Sequence, residues 1–450
     1  MRLSANYFLI TLVTLFIPLA AEEEIVVRLD TEVQLMPIYV KIINEGGKFD
    51  ANYSKSLENV LRFDLDHNGM NLVLKQKGDL DKLVKGFDDF SSPDQWRVQK
   101  VTGVVVGRLK EDKLALKWLV VNANQVKSAN EIALTGDLAK DRRTIHQLSD
   151  SLLKAVYGLE GVATTRLLYT LRTKGSTGKW ISEIFESDYD GANSRQITQG
   201  QGYCVTPVYT PPKSGQTSGS YFYVSYLNGQ PKIFYSPLKA APGTRLTLLS
   251  GNQFMPALSR QRDQIAYISD VTGNPDLFLQ VVNPETGATD KPRQIFRAHR
   301  AVQSTPTFSP DGKKIAFVSN KDGSPRVYLM PIPAPGVRLE DIKVQLLTKQ
   351  SRESTAPNWS PDGTKIAYCA MTQGVRQIWI YDFDKKEERQ LTQGTGHKEN
   401  PVWAPNSLHL AFNSTGNNGS ELYILNLHQP QAVKITSGTG EKHYPCWEPK

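Results

Sequence analysis

Ser309-Pro310-Asp311-Gly312-Lys313-Lys314-Ile315-Ala316-Phe317-Val318-Ser319 returns 51 residues later as Ser360-Pro361-Asp362-Gly363-Thr364-Lys365-Ile366-Ala367-Tyr368-Cys369-Ala370. Each copy reads as the end of one strand, a Pro-Asp-Gly turn and a second strand. Proline presets φ at the first turn position, aspartate bonds its own following amides, and glycine takes the positive φ that closes the turn. A unit of this size cannot bury both faces of its strands alone, so copies must stand beside one another.

Working outward, a proline marks every copy: Pro207, Pro256, Pro306, Pro357, Pro401 and Pro445, spaced by 49, 50, 51, 44 and 44 residues. Two positions on stands a large apolar residue, Tyr209, Leu258, Phe308, Trp359, Trp403 or Trp447. Alternating runs follow, such as Gln264-Ile265-Ala266-Tyr267-Ile268-Ser269, with the period of two of a half-buried strand. Runs such as Gln377-Ile378-Trp379-Ile380-Tyr381-Asp382 and Arg389-Gln390-Leu391-Thr392 supply third and fourth strands. Four antiparallel strands in each unit of this length predict propeller blades. Arg260-Gln261-Arg262-Asp263 and Pro405-Asn406-Ser407 replace the Pro-Asp-Gly turn in two degenerate copies.

The strands at 165–170, 180–185 and 195–198 have no first strand, while Tyr444-Pro445-Cys446-Trp447-Glu448-Pro449 is a first strand with nothing after it. Together they complete one blade. The predicted fold is therefore multidomain: a small α/β N-terminal domain, then a six-bladed β-propeller over residues 161–450 closed by a C-terminal strand. A ring closed on its own ends leaves no sheet edge exposed.

Residues 1–21 combine Arg2, an apolar run over 7–17 and small residues up to Ala21, the layout of a cleaved secretory signal too short to span a bilayer. No cysteine lies near the expected cleavage point, so lipid attachment there is excluded. Secretion into a periplasm suits a chain with three cysteines, Cys204, Cys369 and Cys446, which allow one disulfide at most. The net charge of +8 is spread among acidic residues without a basic stripe, which argues against nucleic-acid binding.

Residues 22–160 form the expected N-terminal domain. Strands are read at 24–29 and 38–43, a helix at 53–63, paired strands at 101–109 and 114–121, and a closing helix at 142–158 with Ile145, Leu148, Leu152, Leu153 and Val156 on one face. Asp64-Leu65-Asp66-His67-Asn68-Gly69 resembles the start of a calcium loop, but Lys75 stands where a bidentate carboxylate is required, and a helix-to-strand turn is the better reading. Residues 175–179 lack the first P-loop glycine and the metal-reaching hydroxyl, and are read as a hairpin loop. No metal or cofactor site and no catalytic constellation can be assembled, so a non-enzymatic role is expected. His397 and His443, just before Pro401 and Pro445, are candidates for the channel mouth.

With these landmarks in order, the chain resembles the TolB family of the Tol-Pal cell-envelope system. The resemblance rests on the two Ser-Pro-Asp-Gly copies, Ile38-Tyr39-Val40 after Pro37, Phe63-Asp64-Leu65 to Gly69, the stretch 96–107, and Gly158-Leu159-Glu160-Gly161 leading to Thr165-Arg166-Leu167-Leu168-Tyr169. It implies a monomeric scaffold for outer-membrane integrity and envelope constriction in cell division, binding the peptidoglycan-associated lipoprotein Pal at the propeller mouth and TolA through the N-terminal mature segment. Mapped here, the TolA-type segment is 22–36, with Glu24, Ile25, Val26, Val27, Arg28 and Leu29. The Pal-type candidates are Asn252, Gln253, Gln303, Ser304, Glu353, His397, Glu399 and His443. Asn252 stands where family members often carry a histidine.

Two other readings compete. Propellers also gate prolyl-oligopeptidase-type hydrolases, which need a catalytic α/β domain of about 250 residues that this sequence does not supply. A periplasmic glycan or small-ligand binder could use channel-side aromatic residues such as Tyr203 and Tyr444.

Overall fold

The computed structural model describes residues 24–29, 34–90, 92–199, 202–227, 229–239, 242–247, 249–283, 287–288 and 290–450. The expected secretory signal and part of the segment 22–36 lie outside these residues.

The N-terminal domain is a five-stranded sheet in the order Asn71–Val73, Met36–Asn44, Gly103–Lys110, Lys113–Val120 and Gln125–Ala133. The first three strands are parallel and the rest antiparallel. Helices Ala51–Asp66 and Leu138–Tyr157 cover one face, joining Leu57, Leu61, Ile145 and Leu152 to Val40, Val105 and Trp118. On the other face Trp96 and Phe87 pack against Tyr39 and Val104. Both helices begin earlier than periodicity indicates, because side-chain caps set their starts: Asp50 accepts from the Tyr53 amide and Asp137 from the Ala139 amide. Gly158, at φ 70°, ends the second helix in the left-handed conformation.

One strand sits elsewhere than its sequence neighbourhood implies. Val26–Val27 does not join the N-terminal sheet; it pairs antiparallel with Thr392–Gln393 of the propeller. The amides of Val27 and Arg28 donate to Pro430 and Leu391, and Ile25 accepts from Ala432. The reason is the alternation of the segment, whose Ile25 and Val27 are buried in the core between two blades while Glu24, Val26 and Arg28 face outward.

The propeller has six blades. Blade 1 is split: Glu441–Trp447 is hydrogen-bonded to Arg166–Lys174, which continues into Trp180–Asp188 and Arg195–Gln196. Blades 2 to 6 begin with first strands Cys204–Tyr209, Gln253–Leu258, Gln303–Phe308, Ser354–Trp359 and His397–Trp403. Apolar residues of neighbouring blades interlock, as where Ile315, Phe317 and Tyr328 meet Ala266, Ile268 and Leu277. The Pro-Asp-Gly turn forms as read: Gly312 donates to Ser309, Asp311 accepts from the Ser309 hydroxyl and the Lys313 amide, and Gly312 has φ 69°. Arg262 and Ser407 adopt the same positive φ in the degenerate copies.

The turn 66–69 is the socket of the N-terminal domain on the ring. His409 Nε2 donates to the His67 carbonyl at 2.6 Å and His428 Nδ1 to the Gly69 carbonyl at 2.7 Å. A side chain at Gly69, at φ 83°, would collide with Leu408. None of the three cysteines is in a disulfide, so Cys204 and Cys446 are not linked. Cys446 instead accepts a hydrogen bond from the Tyr209 amide at 3.4 Å.

Candidate functional site

The six first strands line a central channel of about 960 Å³. Each carries one irregularity in the same place. The residue before the marker proline, Thr206, Met255, Thr305, Ala356, Asn400 or Tyr444, has φ between 38° and 54°. Strand register shifts across that residue in all six blades. Proline normally drives its predecessor toward extended backbone, and threonine in the left-handed region is a strained outlier. The bulge places a residue whose identity varies from blade to blade on the channel wall, a known use of bulges beside binding sites. The proline ruler marks this position in the sequence, but its backbone conformation could not be read there.

Three residues before each proline stands a buried polar or thiol residue: Cys204, Gln253, Gln303, Ser354, Lys398 and Lys442. These tie a blade to the loop entering it. Gln253 accepts from the Ile233 amide and donates to Leu249; Gln303 bonds Asp276 and Ser319. Lys442 Nζ meets Glu421 and the carbonyls of Ser437, Gly438 and Gly440. Gln253 and Gln303, taken from the sequence as mouth residues, are therefore inside the sheet, with exposures of 0% and 1%. The alternation that leaves residue 252 half-buried turns residue 253 fully inward.

The other candidates stand on a first strand or just before one. Ser304 and Glu399 line the channel. Glu353 is exposed. Asn252 is held by Asp270, which accepts from both its backbone and its side-chain nitrogen. Arg376 bridges two candidates: its amide donates to His397 Nδ1 at 3.2 Å and its guanidinium pairs with Glu399 at 2.6 Å. On the neighbouring first strand of blade 1, Glu441 pairs with Arg172 and lies 3.3 Å from His443 Nε2. Burial lowers the His443 pKa and outweighs the pull of Glu441, so this imidazole is neutral at neutral pH.

Sequence reading missed the aromatic share of this entrance. Trp180 is 41% exposed, with the Arg172 guanidinium 4.4 Å and the Lys174 ammonium 5.4 Å from its ring centre. Tyr203 and Tyr226 meet edge to face at 5.3 Å. Tyr203 and Tyr444 were visible as aromatic residues near first strands; Trp180 and Tyr226 arrive from hairpin tips that no spacing rule relates to the channel.

Away from the mouth, Asp64, His146 and Asp190 bring one ligand-type atom each within 4.8 Å of one another. The carboxylates and His146 Nδ1 already have protein partners, while His146 Nε2 is buried without a hydrogen bond, 3.8 Å from Asp190. His146 Nδ1 donates to Asp64 at 2.8 Å, Tyr189 donates to Asp64 at 2.8 Å, and Arg142 pairs with Asp190. This is a clamp between domains, its two carboxylates paired with protein donors from both sides.

The TolB beta propeller domain family matches residues 153–447. A Protein TolB homolog of Protochlamydia amoebophila is 52% identical over 398 residues, 87% of this chain and 85% of that protein. A Protein TolB homolog of Chlamydia felis is 37% identical over 60% of this chain and 62% of its own length. The crystal structure of TolB from Acinetobacter baumannii superposes with a TM-score of 0.75 at 20% identity, covering 95% of this chain and all of that one. At that identity the superposition speaks for the fold.

Proposed function

The chain belongs to the TolB family, and on that premise we propose that it is a periplasmic, non-enzymatic scaffold of the Tol-Pal system. Its channel mouth takes a peptidoglycan-associated lipoprotein, and its N-terminal segment takes TolA. Through these two contacts it couples the inner to the outer membrane during division. The expected secretory signal at 1–21 supports the compartment. Among the described residues no helix is long and apolar enough to cross a membrane.

The observation that carries this reading is the place of Glu24 to Leu29. The segment is an added strand, held by its backbone, by the buried side chains of Ile25 and Val27 and by a bond from Gln431 to Glu24, the mode by which extended peptides augment a sheet. It can be exchanged for another strand, or it can leave and become a strand on a partner. Burial of Ile25 and Val27 holds it with about 1.5–3 kcal/mol each. Release therefore needs a partner whose affinity differs between the docked and free states.

A physical connection to the mouth exists. Thr392–Gln393, on which the segment lies, continues through Gly394, which accepts from Gln377, into His397 and Glu399. Beneath this loop Lys398 Nζ bonds the carbonyls of Thr395 and Gly396, and burial depresses its pKa to about 8. A ligand that repositions His397 and Glu399 pulls on the strand that holds the N-terminal segment.

Two purified partners from the same organism test the reading: the soluble domain of the peptidoglycan-associated lipoprotein and the periplasmic domain of TolA. Both should bind the mature protein. Deleting residues 22–34 should abolish TolA binding and leave lipoprotein binding intact. Loss of both would refute the division of labour, and binding of neither would refute the function.

A further inference from the structure

The mouth is chemically lopsided. Near blades 3 to 6 the rim candidates are polar: Asn252, Ser304, Glu353, His397 and Glu399. Where blades 1 and 2 meet, it presents Trp180, Ile181, Tyr203, Tyr226, Leu227 and Tyr444. Trp180, Ile181, Leu227 and Tyr444 are 41%, 42%, 54% and 37% exposed. The group is contiguous. Ser182, next to Ile181, bridges to Tyr203, and the Tyr226 amide donates to the Tyr203 carbonyl. Tyr444 is within electrostatic reach of Glu399 at the border with blade 6, and of Tyr203, Arg172 and Tyr226.

This patch is built in advance of any ligand. The Gly175–Lys179 closure of the blade 1 hairpin is held by two backbone bonds, and it sets Trp180 at the head of its strand. Arg172, fixed by Glu441, lies over the Trp180 ring. Tyr444 is aimed by the left-handed bulge. Exposed tryptophan, tyrosine and arginine in pre-set positions are the composition of interface hot spots. Lys174 and Lys179 are exposed and in no ion pair among the described residues, which leaves the patch rim positive.

The ring geometry also distinguishes kinds of partner. A sugar stacks on an open aromatic face, but here cations lie over Trp180 and Tyr203 meets Tyr226 edge to face. An aliphatic or aromatic side chain packing between the rings, with carboxylates reaching the lysines, fits better.

We propose that this sector, and not the His397–Glu399 side, anchors the protein that occupies the mouth, and that the matching surface of that partner is an apolar projection bordered by acidic residues. The inference rests on the lipoprotein reading above. Its probe is the soluble domain of the same organism's peptidoglycan-associated lipoprotein, titrated calorimetrically at low and high salt, with unchanged thermal unfolding as the folding control. Trp180→Ala and, on a separate loop, Leu227→Asp should each weaken binding about tenfold or more. Lys174→Glu with Lys179→Glu should weaken binding at low salt and remove most of its salt dependence. His397→Ala should have an effect of less than about threefold. Wild-type binding that is indifferent to Trp180→Ala and Leu227→Asp overturns the anchor and leaves the lipoprotein reading standing. No binding by the wild type overturns both. Binding of a peptidoglycan disaccharide that depends on Trp180, with none of the lipoprotein, overturns the protein-partner chemistry.

Discussion

At the scale of single residues, the most charged place in the interior is the clamp where the N-terminal domain meets blade 1. His146 stands between Asp64 and Asp190, with Tyr189, Arg142 and Asp188 facing it. Burial by itself would lower its pKa, but the adjacent Asp64, helped by Asp190 and Asp188, raises it overall. A histidine whose folded pKa lies above its unfolded value contributes stability that is complete below about pH 6.5 and is lost as pH rises through the folded pKa. His409, across the same junction, is pushed down to about 4 by burial and acts in the opposite sense, since its contribution falls away as pH drops from about 6.5. Thermal unfolding followed from about pH 6 to about pH 9 should therefore show a fall in stability that His146→Gln makes shallower. Asp64→Asn, which removes the carboxylate from a buried ion pair, should cost about 3 kcal/mol or more at pH 6. Equal slopes in wild type and His146→Gln would remove the charge from the clamp. None of this was legible in the sequence. Asp64 and His146 are 82 positions apart, and Asp64 was read as part of a failed calcium loop. The turn reading was right; what the turn grips depends on packing between domains.

At the scale of the element, the first strand is the unit that each blade repeats and varies. Its alternation, turn and large residue after the proline were legible because they are local chemistry. The bulge was not, because the sequence shows only the proline, and proline argues for an extended predecessor. Neighbouring strands hold it in place: Trp403 donates through its amide to Asn358, and Trp359 to Thr307, each on the preceding blade. The strain predicts a sign that is unusual for a strand. Thr206, at φ 52°, also has a buried hydroxyl without a partner. Thr206→Gly should leave stability unchanged or raise it by up to about 1 kcal/mol, since a left-handed non-glycine residue costs about 1–2 kcal/mol and glycine loses part of that gain in entropy. Val205→Gly, one residue earlier in ordinary strand backbone, should cost about 1 kcal/mol or more. Urea unfolding of the two variants decides; if both lose stability equally, the bulge stores no strain.

At the scale of the whole molecule, the order of the strands announces that the ring closes on itself, and the structure adds what that closure holds. Glu441–Trp447 gives blade 1 its first strand, and its last residue and those after it reach further. Trp447, 3% exposed, donates to Thr165 at 2.7 Å; the Glu448 amide bonds the Arg166 carbonyl; and Lys450 reaches Gly161 and Asp150 on the domain linker and its helix. The closing strand is thus also the staple that fixes the N-terminal domain to the ring. Deleting residues 443–450 removes a buried tryptophan, a side chain whose loss alone costs about 3–5 kcal/mol, together with most of a strand ladder. That approaches the whole margin of about 5–15 kcal/mol available to a folded domain. It also bares the edge of Arg166–Lys174, an unpaired strand that can recruit another chain. The expected outcome by calorimetry and light scattering is a transition that is lower and no longer single, accompanied by association that increases with concentration. Deleting only residues 449–450 keeps the strand and should preserve the cooperative transition while weakening the hold on the linker. If the longer deletion melts like the intact chain and stays monomeric, the split blade is not what closes the ring.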